Sequence, residues 1–147
     1  MMDHLGEQAA KESLDAKAFK KKFTDDLLPH LLNLYASKAT ARDFEIYSQN
    51  ATFEDPLMRA QGVKQIKSAF YGLAKVFSES KIVEFNIQEN LVAPGKGEIL
   101  IDNKQYYKFL GKEVNVISLI KLDVEEGKII SHEDRLIEKL HQSIFAV

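Results

Sequence analysis

Val83-Glu84-Phe85-Asn86-Ile87-Gln88 alternates apolar and polar side chains with a period of two, the pattern of a strand with one buried face. Just upstream the period is different. Val63, Ile66, Phe70, Leu73 and Phe77 recur at steps of three and four behind Gly62, with Lys64, Lys67, Tyr71 and Lys75 elsewhere on the cylinder, which predicts an amphipathic helix over 62–77. The change of period near residue 80 decides the fold class, because everything after it also reads as strand. Pro94-Gly95-Lys96-Gly97, Gly111-Lys112 and Glu126-Gly127-Lys128 are turn signals that divide the rest into strands over 97–109, 114–124 and 129–137. Residues 138–146 are too mixed to assign.

Upstream of the long helix, Ala51-Thr52-Phe53-Glu54 reads as a strand stopped by Asp55-Pro56, and 41–49 as a short helical piece with Phe44 and Tyr47 on one side. Leu27, Leu28, Leu31, Leu32 and Tyr35 form one helical face. Pro29 should break or kink a helix there, since it lacks a backbone N–H and disfavours helical geometry at Leu28. Residues 7–22 are rich in helix formers but carry only Leu14 and Phe19 as an apolar stripe, so a surface helix is expected. Residues 1–24 are therefore assigned as an N-terminal helical extension and 25–147 as the domain proper.

Helices, one strand, a long helix and then hairpin-linked strands make an α+β protein. Long antiparallel strands curl, and a curled sheet with helices on its concave side encloses a cone. The strand at 114–124 is apolar on both faces, with Val114, Val116, Ile120 and Leu122 on one and Ile117 and Leu119 on the other. Helices are expected inside it and a second copy of the chain outside, a homodimer through the sheet face.

The 147 residues, 45% of them hydrophobic, make one domain with enough length to bury a core without staples. A net charge of −2 argues against a nucleic-acid binder that relies on a broad positive field. The longest apolar run, residues 116–120, is interrupted by Ser118 and far short of the roughly 20 residues of a membrane span. Asp3 and Glu7 precede any apolar stretch, unlike a secretion signal, so the expected location is cytoplasmic. With no cysteine, disulfides, thiolate metal sites and a Cys nucleophile are excluded. His30, His132 and His141 lack metal-ligand spacing, and no phosphate-binding glycine motif precedes a helix. Neither a metal nor a cofactor is expected.

Residues 46–56, Ile46-Tyr47-Ser48-Gln49-Asn50-Ala51-Thr52-Phe53-Glu54-Asp55-Pro56, resemble a segment of the nuclear-transport-factor-2-like superfamily, in its SnoaL-like or ketosteroid-isomerase-like branch. Gly62-Val63-Lys64-Gln65-Ile66-Lys67-Ser68-Ala69-Phe70 resembles the glycine-opened third helix of that family, and Glu126-Gly127-Lys128-Ile129-Ile130 its last turn and strand. The resemblance, over about residues 27–137, implies a cone-shaped barrel of curved antiparallel sheet wrapped around helices, with a pocket between them. It implies Asp55 as the match of the isomerases' proton-shuttling base and Tyr35 as the match of an oxyanion-hole tyrosine. At the position of their neutral aspartic acid this chain has Ser118 or Leu119, which separates it from steroid isomerase chemistry.

Two segments carry candidate chemistry. Asp55 shares a strand face with Phe53; it is either a base at the pocket wall or the acceptor of an ordinary Asp-Pro turn. In Ser131-His132-Glu133-Asp134-Arg135, period two puts His132 and Asp134 on one face and Glu133 and Arg135 on the other. The first pair could form an acid/base dyad, and the second an ion pair. Tyr106 and Tyr107 are adjacent, so one of them faces inward. Asp55 and His132 are thus the candidate catalytic residues, with Tyr35, Tyr47, Phe53, Phe70, Tyr107 and Asp134 as ligand-binding walls. Mostly apolar walls suit a small hydrophobic or amphipathic ligand. The alternatives are a cofactor-free isomerase, cyclase or dehydratase acting through Asp55, and a protein-interaction module.

Overall fold

The computed structural model describes residues 4–140. His141 and residues 142–147 at the end of the domain assigned above lie outside the described residues, as do residues 1–3. Helix α1 (His4–Lys22) runs into a π-helical turn, Phe23–Leu27, and then α2 (Leu28–Tyr35). Pro29 therefore does not interrupt the helix. The chain absorbs it one turn earlier by widening, so that the Leu28 N–H reaches back five residues to the Phe23 carbonyl. Helix α2 then buries Leu28, Leu31, Leu34 and Tyr35.

A 3₁₀ turn, Ala41–Ile46, follows, held at its start by a capping box between Thr40 and Asp43. Strand β1 (Tyr47–Glu54) begins four residues before the alternation in the sequence suggested, and β2 (Arg59–Gln61) adds a short hairpin partner. Gly62, at φ 84°, opens α3 (Val63–Val76), which buries Ile66, Ala69 and Phe70. Four long strands complete the chain: β3 (Glu79–Ala93), β4 (Lys96–Phe109), β5 (Lys112–Glu125) and β6 (Lys128–Leu140).

The six strands form one sheet in the order β2-β1-β6-β5-β4-β3. The sheet is curved but open, with β2 and β3 as its edges. It is mixed rather than antiparallel, because β1 runs parallel to β6, pairing Phe53 with His132 and Glu54 with Glu133. The reason is topological: β1 is separated from β6 by α3 and four strands, so no hairpin constrains their relative direction. The turns at Leu110-Gly111 and Glu126-Gly127 are two-residue connections with positive φ at both positions, the geometry that matches strand twist and fixes hairpin register.

On the concave face of β4, Ile99 and Ile101 are followed by the equally buried Asn103 and Gln105; on β5, Leu122 and Ile120 are followed by Ser118. The concave face is thus apolar towards one end and polar towards the other. The apolar end is filled by Phe23, Leu27 and Ile129, where each fully buried side chain of this size contributes roughly 1.5–3 kcal/mol. Phe19 of α1 rests on Gly97, which ties the N-terminal helix to the sheet. On the convex face Ile117 and Leu119 are half-buried, among charged residues such as Lys121, paired with Glu98. Among the described residues no helix is long and apolar enough to cross a membrane.

Candidate ligand-binding site

The polar end of the concave face is organised around Asp134. Its Oδ2 accepts hydrogen bonds from Tyr35 Oη at 2.7 Å and Gln105 Nε2 at 3.1 Å, and its Oδ1 accepts one from Ser118 Oγ. Four elements supply these groups: α2, β4, β5 and β6. Gln105 is itself fixed, since Nε2 also donates to Asn103 Oδ1 and Oε1 accepts from Tyr107 Oη.

Behind Tyr35 lies His132, with 1% of its surface exposed. Its Nε2 is 3.0 Å from Tyr35 Oη and its Nδ1 is 2.7 Å from Tyr47 Oη. The Tyr35 proton is directed at Asp134, so Tyr35 can only accept from His132. The imidazole therefore carries its proton on Nε2 and accepts from Tyr47 at Nδ1. Burial holds it neutral by lowering its pKa to about 3. The chain Tyr47 to His132 to Tyr35 to Asp134 thus has a single direction of donation. Burial also pushes the Tyr35 hydroxyl well above its ordinary value, as does Asp134 beside it.

An open cavity of about 260 Å³ lies above this network, walled by Leu73, Phe77, Val116 and Leu136, with Asp134, Gln105, Ser118 and Tyr107 on its polar side. Asp55 and Leu57 stand at its edge. Asp55 is half-buried, and its Oδ1 accepts from the backbone N–H groups of Leu57 and Met58, each at 2.8 Å. That is the turn chemistry of an Asp-Pro corner; its Oδ2 makes no hydrogen bond among the described residues. Burial raises the Tyr107 hydroxyl, helped by Asp134 and then Asp55, so both carboxylates bear on the same point of the wall.

The structure separates two groups within the candidate set. Asp55, Tyr107 and Asp134 line the cavity. Tyr35, Tyr47, Phe53, Phe70 and His132 do not; they pack together beneath it, with Phe53 edge-on to His132 at 4.7 Å and Phe70 edge-on to Tyr35 at 5.8 Å between ring centres. Period two placed His132 and Asp134 on one face, and they are; it could not give depth. Asp55 and His132 consequently do not look into a common hollow. On the opposite face Glu133 and Arg135 form the expected ion pair at 2.7 Å. Gln105 and Ser118 were missed as site residues. Their signal was present: a serine inside the apolar run of β5, and Asn103 and Gln105 on the inward period of β4 where isoleucines precede them. Among the described residues no group of His, Asp or Glu side chains is arranged to hold a metal ion.

No protein-family model matches the chain, and no curated protein matches its sequence. Solved structures do match it in shape. The hexachlorocyclohexane dehydrochlorinase LinA-type3 from Novosphingobium barchaimii LL02 is 13% identical, over 90% of this chain and 96% of its own, with a TM-score of 0.77. An NTF2-like protein from Anabaena variabilis ATCC 29413 is 16% identical over 80% and 88%, with a TM-score of 0.67. A de novo designed protein with a curved β-sheet is 13% identical over 80% and 86%, with a TM-score of 0.54. The chain has the nuclear-transport-factor-2-like α+β fold. A designed protein of similar shape underlines that the fold sets the curvature, while any activity belongs to the side chains placed on it.

Proposed function

We propose that this protein binds a small amphipathic organic molecule in the cavity above Asp134. The observation that carries the reading is the cavity itself: 260 Å³ with apolar walls and a convergent polar floor. Apolar walls supply affinity by losing water, and a few fixed polar groups orient what enters. Tyr35, Gln105 and Ser118 each hold the Asp134 carboxylate, so it does not reorganise when a ligand arrives. The test is a fragment screen by protein-observed NMR. Saturable shifts should map to Leu73, Phe77, Val116 and Leu136 and disappear in Val116→Trp, which fills the cavity. Shifts that map elsewhere, or that survive this substitution, overturn the proposal.

A second reading is proton removal by Asp55, supported by its place on the cavity edge and its unengaged Oδ2. LinA, which shares the fold, is a dehydrochlorinase; a carboxylate base beside an apolar cavity is suited to elimination. Chloride release from chlorinated cyclohexanes, or deuterium uptake from D₂O into small ketones, should be abolished by Asp55→Asn. Turnover that persists in that variant removes Asp55 from the chemistry.

A further inference from the structure

The hydrogen bonds on the cavity wall all run one way. Every side-chain proton donor there is already committed within the protein. Tyr107 Oη donates to Gln105 Oε1, both protons of Gln105 Nε2 go to Asn103 and Asp134, and Ser118 Oγ donates to Asp134. Tyr35 Oη, the nearest donor beneath the wall, also donates to Asp134. At the edge, the backbone N–H groups of Leu57 and Met58 are taken by Asp55. What remains for a ligand is acceptor capacity: the one lone pair of Asp134 left on Oδ1 after its three hydrogen bonds, Oδ2 of Asp55 and the Tyr107 oxygen. No Lys, Arg or His is among the described residues that line the cavity.

Resting on the small-molecule reading above, we propose that the ligand is a single-ring or similarly compact apolar molecule whose polar end is a protonated amine seated against Asp134. A carbonyl or an anion would meet acceptors only and lose its hydration without replacement, which is unfavourable. A hydroxyl could donate one hydrogen bond but would leave two carboxylates uncompensated. An ammonium group supplies three donors and the missing positive charge. Size agrees: a dry cavity of roughly 150 Å³ takes one benzene ring, so 260 Å³ suits a ring with a short arm.

The test compares phenethylamine, phenethyl alcohol and phenylacetate at neutral pH on the full chain, by NMR titration of the cavity methyls. The amine should bind at least tenfold more tightly than the alcohol, and phenylacetate should not bind. Asp134→Asn should bring the amine down to the level of the alcohol without weakening the alcohol. Leu136→Lys places a cation at the half-exposed rim, away from the buried network; it should abolish amine binding and admit phenylacetate, even if Asp134→Asn does not fold. Equal binding of amine and alcohol, or preference for phenylacetate, overturns the charge assignment but leaves the cavity reading intact. Failure of all three to bind counts against both.

Discussion

The hydroxyl of Tyr35 lies 2.7 Å from Oδ2 of Asp134, and this contact commits the tyrosine's proton beneath the cavity wall. In the isomerases that the sequence resembles, a tyrosine at the matching position is expected to donate to a substrate oxyanion. Here its one proton is committed to a side chain of the same molecule, and its oxygen accepts from His132.

Tyr35→Phe removes that junction. His132 Nε2–H is left buried without an acceptor, while Asp134 keeps Gln105 and Ser118. An orphaned buried donor costs about 1–3 kcal/mol. Urea denaturation should show a loss of that size with an unchanged m-value; a variant as stable as the wild type would mean the His132 contact contributes nothing.

The buried imidazole makes stability depend on pH. In the unfolded chain His132 takes a proton near its ordinary value of about 6.5, whereas in the folded protein it resists until about 3. The unfolded state therefore binds more protons in this window, and stability falls as pH falls from about 6.5, by up to roughly 1.4 kcal/mol per unit from this one group. Asp43 acts in a lower window. Burial pushes its carboxyl up, but the Thr40 N–H and the His30 ring more than offset this and leave it lowered, so its contribution is lost only as pH falls below the ordinary carboxylate range. Stability measured by urea at pH 6.5 and 4.5 should fall less steeply in His132→Gln than in the wild type. Identical slopes would show that His132 is protonated in the fold.

Leu110 occupies the left-handed region at φ 50° with 84% of its surface exposed, beside Gly111 in a two-residue hairpin turn. A leucine is strained there, whereas Asn-Gly is favoured. Leu110→Asn should raise stability by about 0.5–1 kcal/mol, read as a higher urea midpoint. A lower midpoint would mean that the leucine makes a contact outweighing its backbone strain.

A Cβ on Gly97 would sit 2.7 Å from Phe19 Cζ and 3.0 Å from the Asn90 carbonyl, closer than packed atoms tolerate. Gly97→Ala should therefore lift α1 from the sheet. Trypsin should cut sooner in the Lys20-Lys21-Lys22 run, and Phe19→Ala in the same chain should partly restore resistance. Unchanged cleavage would show that the helix is anchored elsewhere.

The strand half of the fold was legible because a two-sided pattern survives in the side chains: Ile99 and Ile101 inward, glycine turns between. Three things escaped. β1 starts at Tyr47, where a helical reading of 41–49 had competed, because a 3₁₀ turn and a strand abut without punctuation. β2 is three residues long, too short to show a period. The parallel pairing of β1 with β6 is set by distant segments, about which local pattern is silent. For the site, alternation identified the face of His132 and Asp134 correctly. Whether such a residue reaches the cavity or lies under two tyrosines depends on what packs above it, and that information is spread over α2, β1 and α3.

The division of the concave surface has an evolutionary consequence. Ile99, Ile101, Ile120, Leu122 and Ile129, each with at most 1% of its surface exposed, hold the scaffold together at one end, while Gln105, Ser118 and Asp134 shape the other. Under the small-molecule reading proposed above, substitutions at the second end would retune recognition without undermining the first. On that reading, new specificities could arise by change at one end of the sheet while its thermodynamic foundation stays put.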